Sequence, residues 1–109
     1  MKNKGFLTYG EARDQADYRF KHQEGVYKYE MEGKGWTLVE YGKVLVEGAD
    51  YVHWFKKGVY RYEIIGKGCT LIEDGEVLIE GVDFVWWLEK GVYRYAMEGG
   101  DWVKINNNK

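Results

Sequence analysis

Residues 34 to 66 read KGWTLVEYGKVLVEGADYVHWFKKGVYRYEIIG and residues 67 to 99 read KGCTLIEDGEVLIEGVDFVWWLEKGVYRYAMEG, two stretches that superpose without a gap and agree at about 20 of 33 positions. Agreement of that extent at a fixed offset is the signature of an internal repeat. Residues 4 to 33, KGFLTYGEARDQADYRFKHQEGVYKYEMEG, are the same unit with a few residues missing from its first half, and Gly100-Asp101-Trp102-Val103 restarts a fourth. The sequence is therefore read as a single domain, residues 1–109, built from units 4–33, 34–66 and 67–99 with a partial unit at 100–105.

Inside each unit, short β-branched or alternating runs are punctuated by glycine at a spacing of about eight residues, the rhythm of antiparallel strands and tight turns. Helical periodicity is absent. In the second unit strands are expected over about 36–40, 43–47, 50–55 and 59–65, with the same set 33 residues later. Glu73-Asp74-Gly75-Glu76 predicts a two-residue hairpin, because both central positions of a type I′ turn need positive φ and Asp-Gly accepts this at low cost. Tyr41-Gly42 is the weaker equivalent. The chain contains no proline, which fits a continuous meander in which every strand residue can donate to the ladder.

The expected fold class is all-β: three tandem antiparallel β-meander repeats forming a hairpin stack or a strongly twisted, partly closed sheet. A β-trefoil-like closure is the minority alternative, since the unit of 33 residues is short for that fold. Closure would come from Asp101 to Ile105 pairing near Phe6 to Thr8. An exposed sheet edge otherwise invites association.

Strand side chains alternate between two faces, so equivalent positions can be compared across the units. In the first unit Tyr18, Phe20 and His22 share one face and Arg19 and Lys21 the other. That assigns the core to Tyr18/Tyr51/Phe84, Phe20/His53/Trp86 and His22/Phe55/Leu88. The opposite face is charged in the first unit but carries Val52, Trp54, Val85 and Trp87 in the next two. Those four residues are more apolar surface than a soluble monomer usually leaves uncovered. Either neighbouring units stack on them, with the first unit as a polar cap, or they form the partner-binding strip.

The following strand repeats Val26-Tyr27-Lys28-Tyr29, Val59-Tyr60-Arg61-Tyr62 and Val92-Tyr93-Arg94-Tyr95. Alternation sends both tyrosines of each pair one way and the cation the other. Tyr27, Tyr29, Tyr60, Tyr62, Tyr93 and Tyr95 are thus core rings or, alternatively, the lining of a repeated ligand site. Lys28, Arg61 and Arg94 suit anions, although Glu30 and Glu63 two residues on suit them as cross-strand ion pairs.

Catalytic chemistry has little to work with. Cys69 stands where Phe6, Trp36 and Trp102 stand in the other units, a position that calls for a buried apolar group, and a cysteine nucleophile needs an imidazole and a stabilised thiolate. Both histidines, His22 and His53, occupy aromatic slots. The recurring acids Asp17, Asp50 and Asp83, like Asp14, Glu47 and Glu80, are too equivalent to divide acid and base roles, and an Asp at a bend caps turn amides. No catalytic residue, metal or cofactor is expected.

With 16 basic and 18 acidic residues, both signs interspersed, there is no basic field for duplex nucleic acid. No apolar run is long enough to span a membrane, and the start MKNKGFLTYG lacks a signal-peptide core. One cysteine makes no internal disulfide. These features predict a cytoplasmic protein.

The aromatic-glycine rhythm, as in Trp54-Phe55-Lys56-Lys57-Gly58-Val59-Tyr60 and Trp102-Val103-Lys104-Ile105, resembles bacterial choline-binding and WG-type β repeats. The unit length and the lack of a signal peptide depart from the choline-binding repeats, the lack of Trp-Gly followed by proline departs from the WG repeats, and no function is carried over. The functional expectation is a non-catalytic module that engages a protein partner, or itself as a homo-oligomer, through Val52, Trp54, Val85 and Trp87. The alternatives are a small-ligand or glycan binder with repeated Tyr/Trp sites and a small phage or mobile-element inhibitor of a host or defence protein.

Overall fold

The computed structural model describes residues 18–107. Asp14, Asp17 and the Phe6 to Thr8 segment lie outside them. Among the described residues the chain is all β and contains no helix, so none is long and apolar enough to cross a membrane. It divides into two compact units, one running to Val52 and the other from His53.

In the first unit β1 (Tyr18–Gln23), β2 (Val26–Met31), β3 (Gly35–Glu40) and β4 (Lys43–Ala49) form an antiparallel meander in chain order. The β3–β4 turn has positive φ at Tyr41 and Gly42, 50° and 82°, as a type I′ turn requires. Tyr29, Met31 and Val39 are buried together on one face, with Tyr27 and Val44 packed against them. At Gly35 an ideal Cβ would lie 2.5 Å from the Ala49 carbonyl oxygen, so β3 approaches the bulged end of β4 too closely for any side chain.

The second unit holds two sheets. One comprises β5 (Tyr51–Lys56), whose first two residues fall in the first unit, β6 (Val59–Ile64), β7 (Gly68–Glu73) and β8 (Glu76–Val82); the other is β9 (Phe84–Glu89), β10 (Val92–Ala96) and β11 (Val103–Asn106), in the order β11-β10-β9. Asp74 and Gly75 have φ of 50° and 84°, the type I′ turn predicted from Asp-Gly. Cys69, Leu71 and Val82 from the four-stranded sheet bury against Val85 and Tyr93 from the three-stranded one. Phe55, Ile79, Trp87, Tyr95 and Ile105 close the margins of this core.

Among the described residues the sheets number three and none is closed. Equivalent bonds recur at the repeat offset: the Tyr41, Asp74 and Asn107 amides donate to the carbonyls of Gly25, Gly58 and Gly91 at 2.6, 2.7 and 2.8 Å. Each ties the end of a unit's third strand to its first hairpin.

In β5 and β9 the buried face is largely the reverse of the expectation, although Phe55 packs against the core as expected. Tyr18, Tyr51 and Phe84 are 56%, 60% and 51% exposed, and Phe20, Trp86 and Leu88 are exposed as well, whereas Val52 and Val85 are buried. Arg19 and Lys21 mark a solvent side for β1 alone. Strand β1 is exposed along nearly its whole length, so its charges report its own surroundings and not those of β5 or β9.

Candidate functional site

Val52 and Val85 are buried and cannot be touched by a partner, while Trp54 and Trp87 are half-buried. The strip proposed from sequence as a binding surface is thus corrected: Val85 and Trp87 are packing groups between the two sheets of the second unit. Trp87 is further committed by its indole N–H, which donates to the Glu73 carboxylate at 2.8 Å. The same carboxylate accepts from the Gly91 backbone N–H at 3.0 and 3.3 Å, so one buried acid at the end of β7 clamps the β9–β10 hairpin. Charge-assisted bonds of this kind are the strong ones in a sheet stack.

The tyrosines divide by position. Tyr29, Tyr60 and Tyr93 are buried, and Tyr27, Tyr62 and Tyr95 are half-buried. The Tyr93 hydroxyl donates to the Leu78 carbonyl at 3.2 Å, and burial pushes its pKa up. Tyr62 lines a depression of about 360 Å³ with Ile64, Lys67, Thr70 and Glu80.

What the structure brings together is a ring, a cation and a ring, drawn from β1, β2 and β3 in the first unit and from β9, β10 and the residue before β11 in the second. In the first unit Tyr18 packs edge-on to Trp36 at 6.0 Å, and the Lys28 ammonium lies 4.6 Å from the Trp36 ring centroid and 5.5 Å from that of Phe20. Burial pushes the Lys28 pKa down, and its Nζ donates to the Val52 carbonyl at 3.2 Å. In the second unit Phe84 lies 6.3 Å from Trp102, whose ring carries the Arg94 guanidinium at 4.4 Å. The rings' negative faces hold both cations, Lys28 half-buried and Arg94 exposed.

The middle copy departs from this pattern because Cys69 replaces the tryptophan. Its Arg61 contacts the Cys69 sulfur at 3.8 Å and the Trp86 ring at 5.6 Å, and Trp86 in turn rests on His53 and Phe55 at 4.9 and 4.8 Å. The Cys69 thiol donates to the Asp83 carbonyl at 3.5 Å, and burial pushes its pKa up, the opposite of what a thiolate nucleophile needs. Asp83 itself accepts the Glu98 amide at 2.6 Å, the capping role expected of an acid at that bend.

Sequence reasoning placed Phe84, Trp86 and Leu88 in the core and passed over Trp102. A signal was present: rings at 20 and 36 flank Lys28, and rings at 86 and 102 flank Arg94, each eight residues away. Across the first hairpin that spacing makes direct partners, Phe20↔Lys28 and Trp86↔Arg94, and across the second it brings Trp36 and Trp102 to diagonal positions two residues from the partners Leu38 and Lys104. No protein-family model, curated protein or solved structure matches the chain.

Proposed function

We propose that this protein is a non-catalytic binding module that docks a protein partner on the exposed rings of its three-stranded sheet. The observation that carries the reading is the contrast between two sheets of one unit. Leu71 and Cys69 on β7 are buried beneath Val85 and Tyr93, whereas Phe84 and Leu88 of β9 and Trp102 before β11 stand 51%, 44% and 48% exposed, with Arg94 over the Trp102 ring. Together with Trp86 they present on the order of 400 Å² of apolar surface, the size of patch that marks interaction sites on soluble proteins. Tryptophan, aromatic and arginine side chains also dominate interface hot spots.

The test uses Phe84→Glu and Leu88→Glu in affinity capture with mass spectrometry. Both positions are exposed, so each variant is expected to melt within a few degrees of the parent while losing the captured partner. Capture that survives both substitutions rules out this surface.

The like construction of the Tyr18–Lys28–Trp36 and Phe84–Arg94–Trp102 clusters favours a second reading, in which each stacks one small ligand or sugar ring. It predicts a stoichiometry of two by titration calorimetry against a glycan panel, and thermal shift with none of the panel would end it.

A further inference from the structure

The sheet of β5–β8 carries a hollow on one of its faces, and the ladder register explains it. Tyr62 on β6, Thr70 on β7 and Glu80 on β8 are direct cross-strand partners, so their side chains stand in one row on that face. The neighbouring row, Ile64↔Gly68, has no side chain on β7, where a Cβ would lie 2.8 Å from the Val82 carbonyl oxygen. Gly81, the extra residue of a bulge in β8, adds none either. The result is the depression of about 360 Å³, which Lys67 of the β6–β7 turn also lines. Ligand pockets run from about 300 to 1,000 Å³, so a space of this size suits a small molecule.

Its lining is chemically specific. Thr70 is 7% exposed, yet its hydroxyl has no hydrogen-bond partner among the described residues. Buried side-chain polar atoms are nearly always bonded, so an unpaired one facing a hollow calls for a partner from outside the chain. Lys67 and Glu80 are exposed and opposite in charge, but among the described residues neither is ion-paired, with the other or elsewhere. Tyr62 and Ile64, both half-buried, supply an apolar wall. A ligand with a single charge would bring that charge against its own sign at Lys67 or Glu80, whereas a zwitterion satisfies both.

We propose that this hollow binds a free α-amino acid with an apolar side chain. Lys67 takes the carboxylate, Glu80 takes the ammonium group, the Thr70 hydroxyl bonds to either, and the side chain lies against Tyr62 and Ile64. The repeat makes this one site per chain. In the first unit the counterparts Tyr29, Met31 and Thr37 are all buried, which closes the row to a ligand. In the third sheet Val103 and Gly100 stand where Thr70 and Lys67 stand here, so the hydroxyl and the cation are both missing. The site is separate from the rings of the three-stranded sheet, and neither reading depends on the other.

The probe is L-phenylalanine, titrated to about 10 mM into the ¹⁵N-labelled full chain beside N-acetyl-L-phenylalanine, L-phenylalaninamide and methyl α-glucoside. The expected result is saturable movement of the Gly68, Thr70 and Glu80 amides with a dissociation constant of about 1 mM. Each capped derivative, lacking one of the two charges, should bind about three- to fivefold more weakly at low salt. Glu80→Gln is expected to erase the penalty on the N-acetyl form and Lys67→Gln the penalty on the amide, with melts unchanged because both positions are exposed. The proposal is overturned if L-phenylalanine moves none of those amides, if the capped forms bind as tightly, or if either penalty survives its substitution. Methyl α-glucoside moving the same amides as far as L-phenylalanine would equally overturn it, since the hollow would then be a sugar site.

Discussion

Removing the Glu73 carboxylate should loosen the packing between the two sheets of the second unit more than any other polar change there. In Glu73→Ala the Trp87 indole N–H, now bonded at 2.8 Å, and the Gly91 amide, at 3.0 Å, both lose their acceptor. Hydrogen bonds to a charged group are worth about 1.5–3 kcal/mol each when one partner is deleted. Trp87 is only half-buried, so water recovers part of the loss, and we expect a net cost on the order of 2–4 kcal/mol. For a domain of this size that lowers the melting temperature by roughly 10–25 °C. Glu73→Gln keeps an acceptor without the charge and should cost about 1 kcal/mol. Urea unfolding followed by tryptophan fluorescence measures both, and Trp87→Phe, which deletes the indole donor, completes a double-mutant cycle with an expected coupling of about 1 kcal/mol. If Glu73→Ala costs less than about 0.5 kcal/mol, or if Gln costs as much as Ala, the carboxylate is not the clamp described above.

Other consequences follow from the same geometry. Val85→Ala should cost about 1–3 kcal/mol and Phe84→Ser under about 1 kcal/mol in parallel urea titrations, the reverse of what the face assignment from sequence implies. Gly68→Ala should lower the melting temperature sharply, since a Cβ there would lie 2.8 Å from the Val82 carbonyl oxygen on a backbone with φ of 85°. Because burial raises the Tyr93 pKa in the folded state, that tyrosine's contribution is intact below the ordinary value of about 10 and is lost as pH rises toward the folded value. Tyr93→Phe should therefore flatten the alkaline fall of stability in a pH series of melts, at the cost of the bond to Leu78. Cys69 should react with a thiol reagent only at the rate of opening, so labelling of the native protein should be far slower than labelling in urea.

The strands and turns were legible because they depend on neighbours in sequence. The expected 36–40, 43–47, 50–55 and 59–65 are met by β3 to β6 with ends shifted by one or two residues, and Asp74-Gly75 takes the backbone its composition demanded. The proposed docking surface was less legible. Its parts, Arg94 and the rings at 84, 86 and 102, were visible in the repeat, but their meeting depends on the ladder register Trp86↔Arg94↔Lys104, which the turns imply only when written out strand by strand.

By itself the sequence determined the repeat, the all-β class, the hairpin turns and the two alternating faces of each strand, since all of these follow from local backbone preference and period-two geometry. Which face goes inside was decided only by the tertiary structure. Period two separates Val85 from Phe84 but does not rank them, and both are apolar. The packing of β9 on β7 put Val85 and Trp87 against Leu71 and Glu73 and left Phe84, Leu88 and Trp102 to solvent.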